Sequence, residues 1–133
     1  MTTKIYLGDS AVKKIVADYF NRDLYIQFDC ISTFTGEHWR PSQDTDYEDG
    51  WIKFGSVKYF NITPAMALPN DYIYSHSLDL VENSFRLTCG GEIYDEAKDA
   101  MVFSDAEILV RHFHTFEIID NKKFISMFLL NNQ

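Results

Sequence analysis

The chain alternates. In "LYIQFDCI", Leu24, Ile26, Phe28 and Cys30 fall on one side and Tyr25, Gln27, Asp29 and Ile31 on the other, the period-two pattern of a strand with one buried face. "WIKFGSVKYFNIT" is rich in aromatic and β-branched residues and stops at Pro64, which cannot continue a central ladder. "SFRLTCGGEIY" sets Phe85, Leu87 and Cys89 on one face, and its Gly90-Gly91 pair predicts a bulge or a close backbone approach. Near the end, "EILVRHFHTFEII" and "KFISMFLL" flank Asp120-Asn121-Lys122, turn formers between apolar runs that predict a long hairpin. Asp95 to Ala100 is a polar reversal between "EIY" and "MVF" and is compatible with one helical turn.

One segment obeys two periods. In "DSAVKKIVADYF", Val12, Ile15, Val16, Tyr19 and Phe20 recur at helical spacing, with Asp9 or Ser10 as a candidate N-cap. Val12, Ile15 and Val16 are β-branched, however, and Asn21-Arg22-Asp23 turns the chain straight back into "LYIQFDCI". A hairpin strand is favoured here. The whole pattern predicts an all-β single domain over residues 1–133, an antiparallel β-sandwich or a partly closed barrel with room for one short helix.

The string "WIKFGSVKYFNITP", in which Phe54, Val57 and Phe60 lead into a proline, resembles a feature of short bacterial all-β proteins, some of which look like immunity proteins encoded beside secreted toxins. "NRDLYIQFDCIS" and "FRLTCGGEIY" are compatible with the same plan, so the likeness touches about half of the chain. It implies a structural scaffold with no catalytic constellation to carry over.

Composition supports a folded chain: of 133 residues 46% are hydrophobic and 16% aromatic, which excludes intrinsic disorder. No apolar run reaches signal or membrane-spanning length, so the expectation is a cytoplasmic protein without membrane contact. Cys30 and Cys89 form no CxxC pair, and a reducing compartment makes them thiols rather than a bridge. Twenty acidic residues oppose twelve Lys and Arg, for a net charge of −8. That balance argues against nucleic acid and anionic lipid as partners and favours a basic protein.

The charge is concentrated in "PSQDTDYEDGW", where Asp44, Asp46, Glu48 and Asp49 stand within six residues. A calcium loop of the EF-hand type would need glycine at its sixth position and glutamate at its twelfth. Starting at Asp44 gives Asp49 and Gly55, and starting at Thr45 gives Gly50 and Ser56, so that cage is excluded. Mutual repulsion predicts a loose connection that a basic partner would compensate. Trp39, Arg40 and Tyr47 beside it have the composition of an interface hot spot. The predicted partner-binding set is therefore Trp39, Arg40, Asp44, Asp46, Tyr47, Glu48 and Asp49, with Trp51, which opens a strand, assigned to the core.

A second candidate is "RHFHTFE". His112 and His114, two apart on a strand, would share one face and hold a metal if Glu92, Glu107 or His76 completed the set; the competing expectation leaves the imidazoles partly buried among Val110, Phe116 and Ile118, or facing solvent, without metal. No GxSxG, GxGxxG or GxxxxGK string occurs, and the two cysteines alternate with apolar residues as core thiols do. The expectation is a non-enzymatic, cofactor-free binding protein whose acidic surface meets a basic partner, of the immunity type. The alternatives are a metal-dependent enzyme or metal sensor on His112/His114, and a carbohydrate-binding sandwich using Tyr72, Tyr74 and Trp39 as stacking platforms. "KFISMFLL", with few charges, is a candidate edge strand for a homodimer.

Overall fold

The computed structural model describes residues 4–36 and 45–131. Eleven strands and one helix follow in the order β1 (Lys4–Tyr6), β2 (Val12–Asp18), β3 (Asp23–Phe28), β4 (Cys30–Phe34), β5 (Thr45–Glu48), β6 (Trp51–Gly55), β7 (Tyr59–Thr63), β8 (Ile73–Asp79), β9 (Ser84–Asp95), β10 (Ala100–Arg111), β11 (Thr115–Ile119) and α1 (Asn121–Asn131). They build two four-stranded antiparallel sheets, β11-β6-β3-β2 and β7-β10-β9-β8, and a three-stranded sheet β1-β4-β5. The two larger sheets face each other as a sandwich, which is the predicted class; among the described residues no closed barrel forms.

The segment with two periods is the strand β2, paired to β3 with a bulge between Val12 and Lys14. Tyr19 and Phe20, which completed its helical stripe, sit in the turn at 88% and 96% exposure. They were never core positions.

Three runs that read as single strands are each two strands in different sheets. "LYIQFDCI" leaves β3 for β4 at Asp29, whose amide donates to the Ala11 carbonyl at 2.9 Å and whose carbonyl accepts from the Asp49 amide at 2.9 Å. "WIKFGSVKYFNIT" turns its corner at Ser56, and "EILVRHFHTFEII" at His112, both in the left-handed region with φ of 52° and 57°. A corner of this kind lets one chain feed both layers. Alternation continues on either side of it, so the sequence shows one uninterrupted run.

The main core is made by the inward faces. Leu24, Ile26 and Phe28 of β3 and Ile52 and Phe54 of β6 meet Phe85, Leu87 and Cys89 of β9 and Ile108 and Val110 of β10. Phe54 is its hub: its ring centroid lies 5.3 Å from that of Phe85, 5.0 Å from Phe113 and 5.7 Å from Phe116. Gly90 and Gly91 stay in regular register with Asp105 and Ser104, while the bulge falls just before them, between Ile73 and Ser75 of β8 opposite Cys89 and Thr88. The glycines serve the close approach: a Cβ on Gly91 would collide with the Leu68 carbonyl, with which β9 exchanges two hydrogen bonds through Glu92.

The C-terminus corrects the predicted hairpin. "KFISMFLL" belongs to α1, so this segment has no strand edge to offer a second copy. Asp120 caps it, its Oδ1 accepting from the Lys123 amide at 2.7 Å, and Phe124, Met127 and Phe128 follow at helical spacing to pack on Tyr25, Trp51 and Ile119. This closes a second, smaller core on the back of the β11-β6-β3-β2 sheet. Trp51 is buried as expected, 2% exposed and stacked on Phe124 with centroids 3.6 Å apart, and β3, expected to be half-buried, is buried on both faces.

Candidate functional site

Of the predicted partner-binding residues, Trp39, Arg40 and Asp44 lie outside the described residues. The rest are ordered by pairing rather than loose. β5 runs antiparallel to β4, with Asp46 opposite Ser32, Tyr47 opposite Ile31 and Glu48 opposite Cys30. Ser32 Oγ donates to Asp46 Oδ1 at 2.7 Å. Asp49 closes the turn into β6 with φ of 54° and meets Lys13 Nζ at 2.6 Å, a contact that holds the Lys13 ammonium above its usual range. Tyr47 packs against the main core. Asp46 and Glu48, two apart on a strand, therefore share an exposed face. Three of the expected members are thus engaged within the protein: Tyr47 by packing, Asp46 by the Ser32 hydroxyl and Asp49 by its lysine.

For the histidine pair the placement on a strand is corrected, while the imidazoles face solvent, one of the two settings expected for them without metal. His112 and His114 lie between β10 and β11, not on a strand, because the chain changes sheets there. Their amides donate to the Asn83 carbonyl at 2.8 Å and the Gly55 carbonyl at 2.7 Å, both imidazoles are exposed, and Phe113 between them is 2% exposed in the core. Among the described residues no group of three His, Cys, Asp or Glu is placed to hold a metal. His76 points into the sandwich beside Tyr6, ring centroids 6.3 Å apart.

A surface missed from the sequence carries more. Beyond Glu92, which still pairs with Leu68, β9 and β10 extend past the core as a two-stranded arm, pairing Met101 with Tyr94, while Phe103 stands at its base opposite Glu92. On its outward face Phe103 is 65% exposed, Tyr94 51% and Met101 43%, and Tyr72 and Tyr74 at the adjoining end of β8 are 62% and 59% exposed. Asp71, Glu92, Asp95, Asp99 and Asp105 stand among them. Tyr94 donates to Asp99 Oδ1 at 2.6 Å, which holds its phenol above the usual range. Beneath, burial followed by Asp71 and Asp105 pushes the Cys89 thiol up to about 11. Contiguous exposed apolar surface rimmed by charge marks interaction sites more often than solvent faces. The signal was available: in "AMVFSDA" both faces of a strand are apolar, so one of them had to face outward.

The arm adjoins the acidic strand. Ala11 bridges to Tyr72 and accepts from Asp29, while Ser10 Oγ accepts from the Cys30 amide at 3.0 Å and the Ser10 carbonyl from the Ile73 amide. Ser10 and Ala11 thereby link β4, beside β5, to the start of β8.

Comparisons with curated proteins and with solved structures find no match. A family profile matches residues 1–115, from before β1 to the first residue of β11, and the chain accordingly belongs to that family, described as a family of unknown function (DUF6258).

Proposed function

We propose that the protein is a non-catalytic binding protein whose β9-β10 arm, with the start of β8, docks a basic protein partner. The observation that carries this reading is the exposure of Tyr72, Tyr74, Tyr94, Met101 and Phe103 within a field of carboxylates. Aromatic and Met side chains supply contact area and cation–π faces for Lys and Arg, and the carboxylates steer a cationic surface inward. Asp46 and Glu48, next along the surface through Ser10 and Ala11, extend the same field. The resemblance to short uncharacterised bacterial all-β proteins, some of which look like immunity proteins, is in keeping with a toxin as that partner, met in a reducing cytoplasm that leaves Cys30 and Cys89 as thiols.

Association kinetics with a Lys- and Arg-rich peptide panel test it. Phe103→Ala/Asp105→Lys should slow capture about tenfold at low salt, as loss of steering and of an anchor does, while Glu117→Lys on the other sheet should leave it unchanged. Equal effects from both variants, or rates independent of salt, would refute it. A second reading has its own observation: Tyr72 and Tyr74 flank polar groups at Asn70 and Asp71, the make-up of a sugar platform. A glycan array separates the two, since a sugar site gives binding that survives Asp105→Lys.

A further inference from the structure

The opposite end of the sandwich is built differently. Four connections meet there, and each carries a non-glycine residue in the left-handed region: Arg22, Ser56, Asn83 and His112, with φ of 59°, 52°, 53° and 57°. They are laced together by backbone hydrogen bonds, Val57 amide to Arg22 carbonyl at 2.8 Å, His112 amide to Asn83 carbonyl at 2.8 Å and His114 amide to Gly55 carbonyl at 2.7 Å. Backbone held in sparsely populated conformations by its surroundings gathers at sites where side chains must be aimed.

What these turns aim is positive charge. Arg22, Lys58, His112 and His114 line a surface cleft of about 530 Å³ floored by Phe113, and Arg111 lines the cleft that adjoins it across His112 and Glu82. On a chain of net charge −8 with four arginines, this is a local reversal of sign. Among the described residues no carboxylate forms an ion pair with Arg22, Lys58 or Arg111, whereas Lys13, Lys53, Arg86 and Lys123 each have one. Three carboxylates at this end are already committed: Asp18 to Asn21, Asp23 to the Ser56 amide and Asp79 to the amides of Val81 and Glu82. Glu82, on the rim, is the exception. Arg22 and Lys58 also border a smaller pocket of about 140 Å³ whose walls include Leu24, Val57, Tyr59 and Phe60 together with Asp18 and Asp23, so a mainly apolar recess opens directly beside the cations, its two carboxylates held by Asn21 and the Ser56 amide.

We propose that this end of the sandwich is a binding site for a small organic anion, a phosphate or carboxylate group held by Arg22 and Lys58, with Arg111 adding its charge from the adjoining cleft and an attached apolar ring in the Tyr59/Phe60 recess. Cations left unpaired on a rigid floor offer the anion charge-assisted hydrogen bonds at little ordering cost. The site is independent of the aromatic arm, so it stands or falls separately.

Amide chemical-shift titration of the intact protein at pH 7, with phenyl phosphate, benzoate and inorganic phosphate as probes, tests it. Saturable shifts confined to Arg22, Val57, Lys58, His112 and His114 are expected, with phenyl phosphate binding at least fivefold tighter than inorganic phosphate and the benzoate arm telling phosphate from carboxylate preference. Lys58→Glu/Arg111→Glu should remove the shifts while leaving the rest of the spectrum, and hence the fold, intact; Lys98→Glu/Lys122→Glu should leave binding unchanged. Shifts spread over all lysines, shifts surviving the first double variant, equal affinity for phenyl and inorganic phosphate, or tighter binding of a single-stranded oligonucleotide than of phenyl phosphate would each overturn the proposal.

Discussion

Phe124→Ala tests whether α1 is an integral part of the fold. Phe124 stacks on Trp51 at 3.6 Å and 11°, stacks on Phe128 at 4.4 Å and meets Tyr25 edge-on at 5.6 Å. The ring is half-buried, so truncation returns roughly 100 Å² of apolar surface to water, about 2.5 kcal/mol at the usual area coefficient. Aromatic pairing adds about 0.5–1.5 kcal/mol for a pair beyond area, but three contacts to one ring do not sum, and solvent reaching the edge relieves part of the cavity cost. The expected loss is about 3 kcal/mol, equivalent to roughly 10 °C in Tm at this chain length. Guanidinium unfolding in a Trp39→Phe background reads Trp51 alone, and its emission should also shift to the red in the folded baseline as the helix frees the indole. A loss below about 0.5 kcal/mol with unchanged Trp51 emission would refute the second core. Asn121 is the internal control, since its Oδ1 accepts from Trp51 Nε1 at 3.0 Å and Gln27 Nε2 at 3.3 Å: Asn121→Ala should cost about 1–3 kcal/mol by stranding those donors.

Burial lowers the pKa of His76 in the fold, against a smaller opposing effect of its hydrogen bond with the Ile5 backbone. The unfolded chain therefore takes up its proton more readily, so stability is full above the ordinary imidazole value of about 6.5 and falls as pH drops below it; denaturation midpoints from pH 7.5 to 5 should show that slope, and His76→Gln should flatten it. Cys89 is fully buried with its thiol pushed up to about 11, and burial also raises the half-buried Cys30. A thiol-reactive disulfide reagent at pH 8 should therefore label Cys89 only after unfolding and Cys30 slowly, whereas two rapid equivalents in the native protein would contradict the packing. Gly91→Ala should cost about 2–3 kcal/mol in urea unfolding, because its Cβ meets backbone at the Leu68 carbonyl rather than a movable side chain.

The class of fold was legible because strand periodicity is local: Leu24, Ile26 and Phe28, or Phe85, Leu87 and Cys89, declare their face without reference to any partner. The glycine pair was legible for the same reason. Helix α1 was not, since Asp120-Asn121 serves equally as a hairpin turn and as an N-cap, and a short run such as "KFISMFLL" fits either period. What decides it is tertiary: Tyr25, Trp51 and Ile119 form an apolar back face that a helix carrying Phe124, Met127 and Phe128 covers. The acidic strand was found but misjudged, because the sequence shows four carboxylates and cannot show that Lys13 and Ser32 wait opposite two of them.

Corners are the remaining reason, and they bear on both proposed surfaces. A strand that changes sheets keeps its alternation through the bend, so the bend leaves no hydrophobic signature. Its trace lies in the connecting residues, which must be small, polar or charged to sit in solvent with positive φ. At Ser56 and His112 those corners fall at the end where Arg22 and Asn83 turn two hairpins, as the pairing of Leu24 with Phe54 and of Ser84 with Arg111 requires. Residues distant in sequence thereby converge: Arg22, Lys58 and Arg111 look like three scattered cations until two hairpin turns and two corners bring them to two adjoining clefts at one end. Antiparallel registers then carry β9 and β10 to the other end, where Tyr94, Met101 and Phe103 stay exposed. Both proposed surfaces thus depend on where the chain turns and where its longest hairpin outruns the core, two properties of topology that composition and motif cannot express.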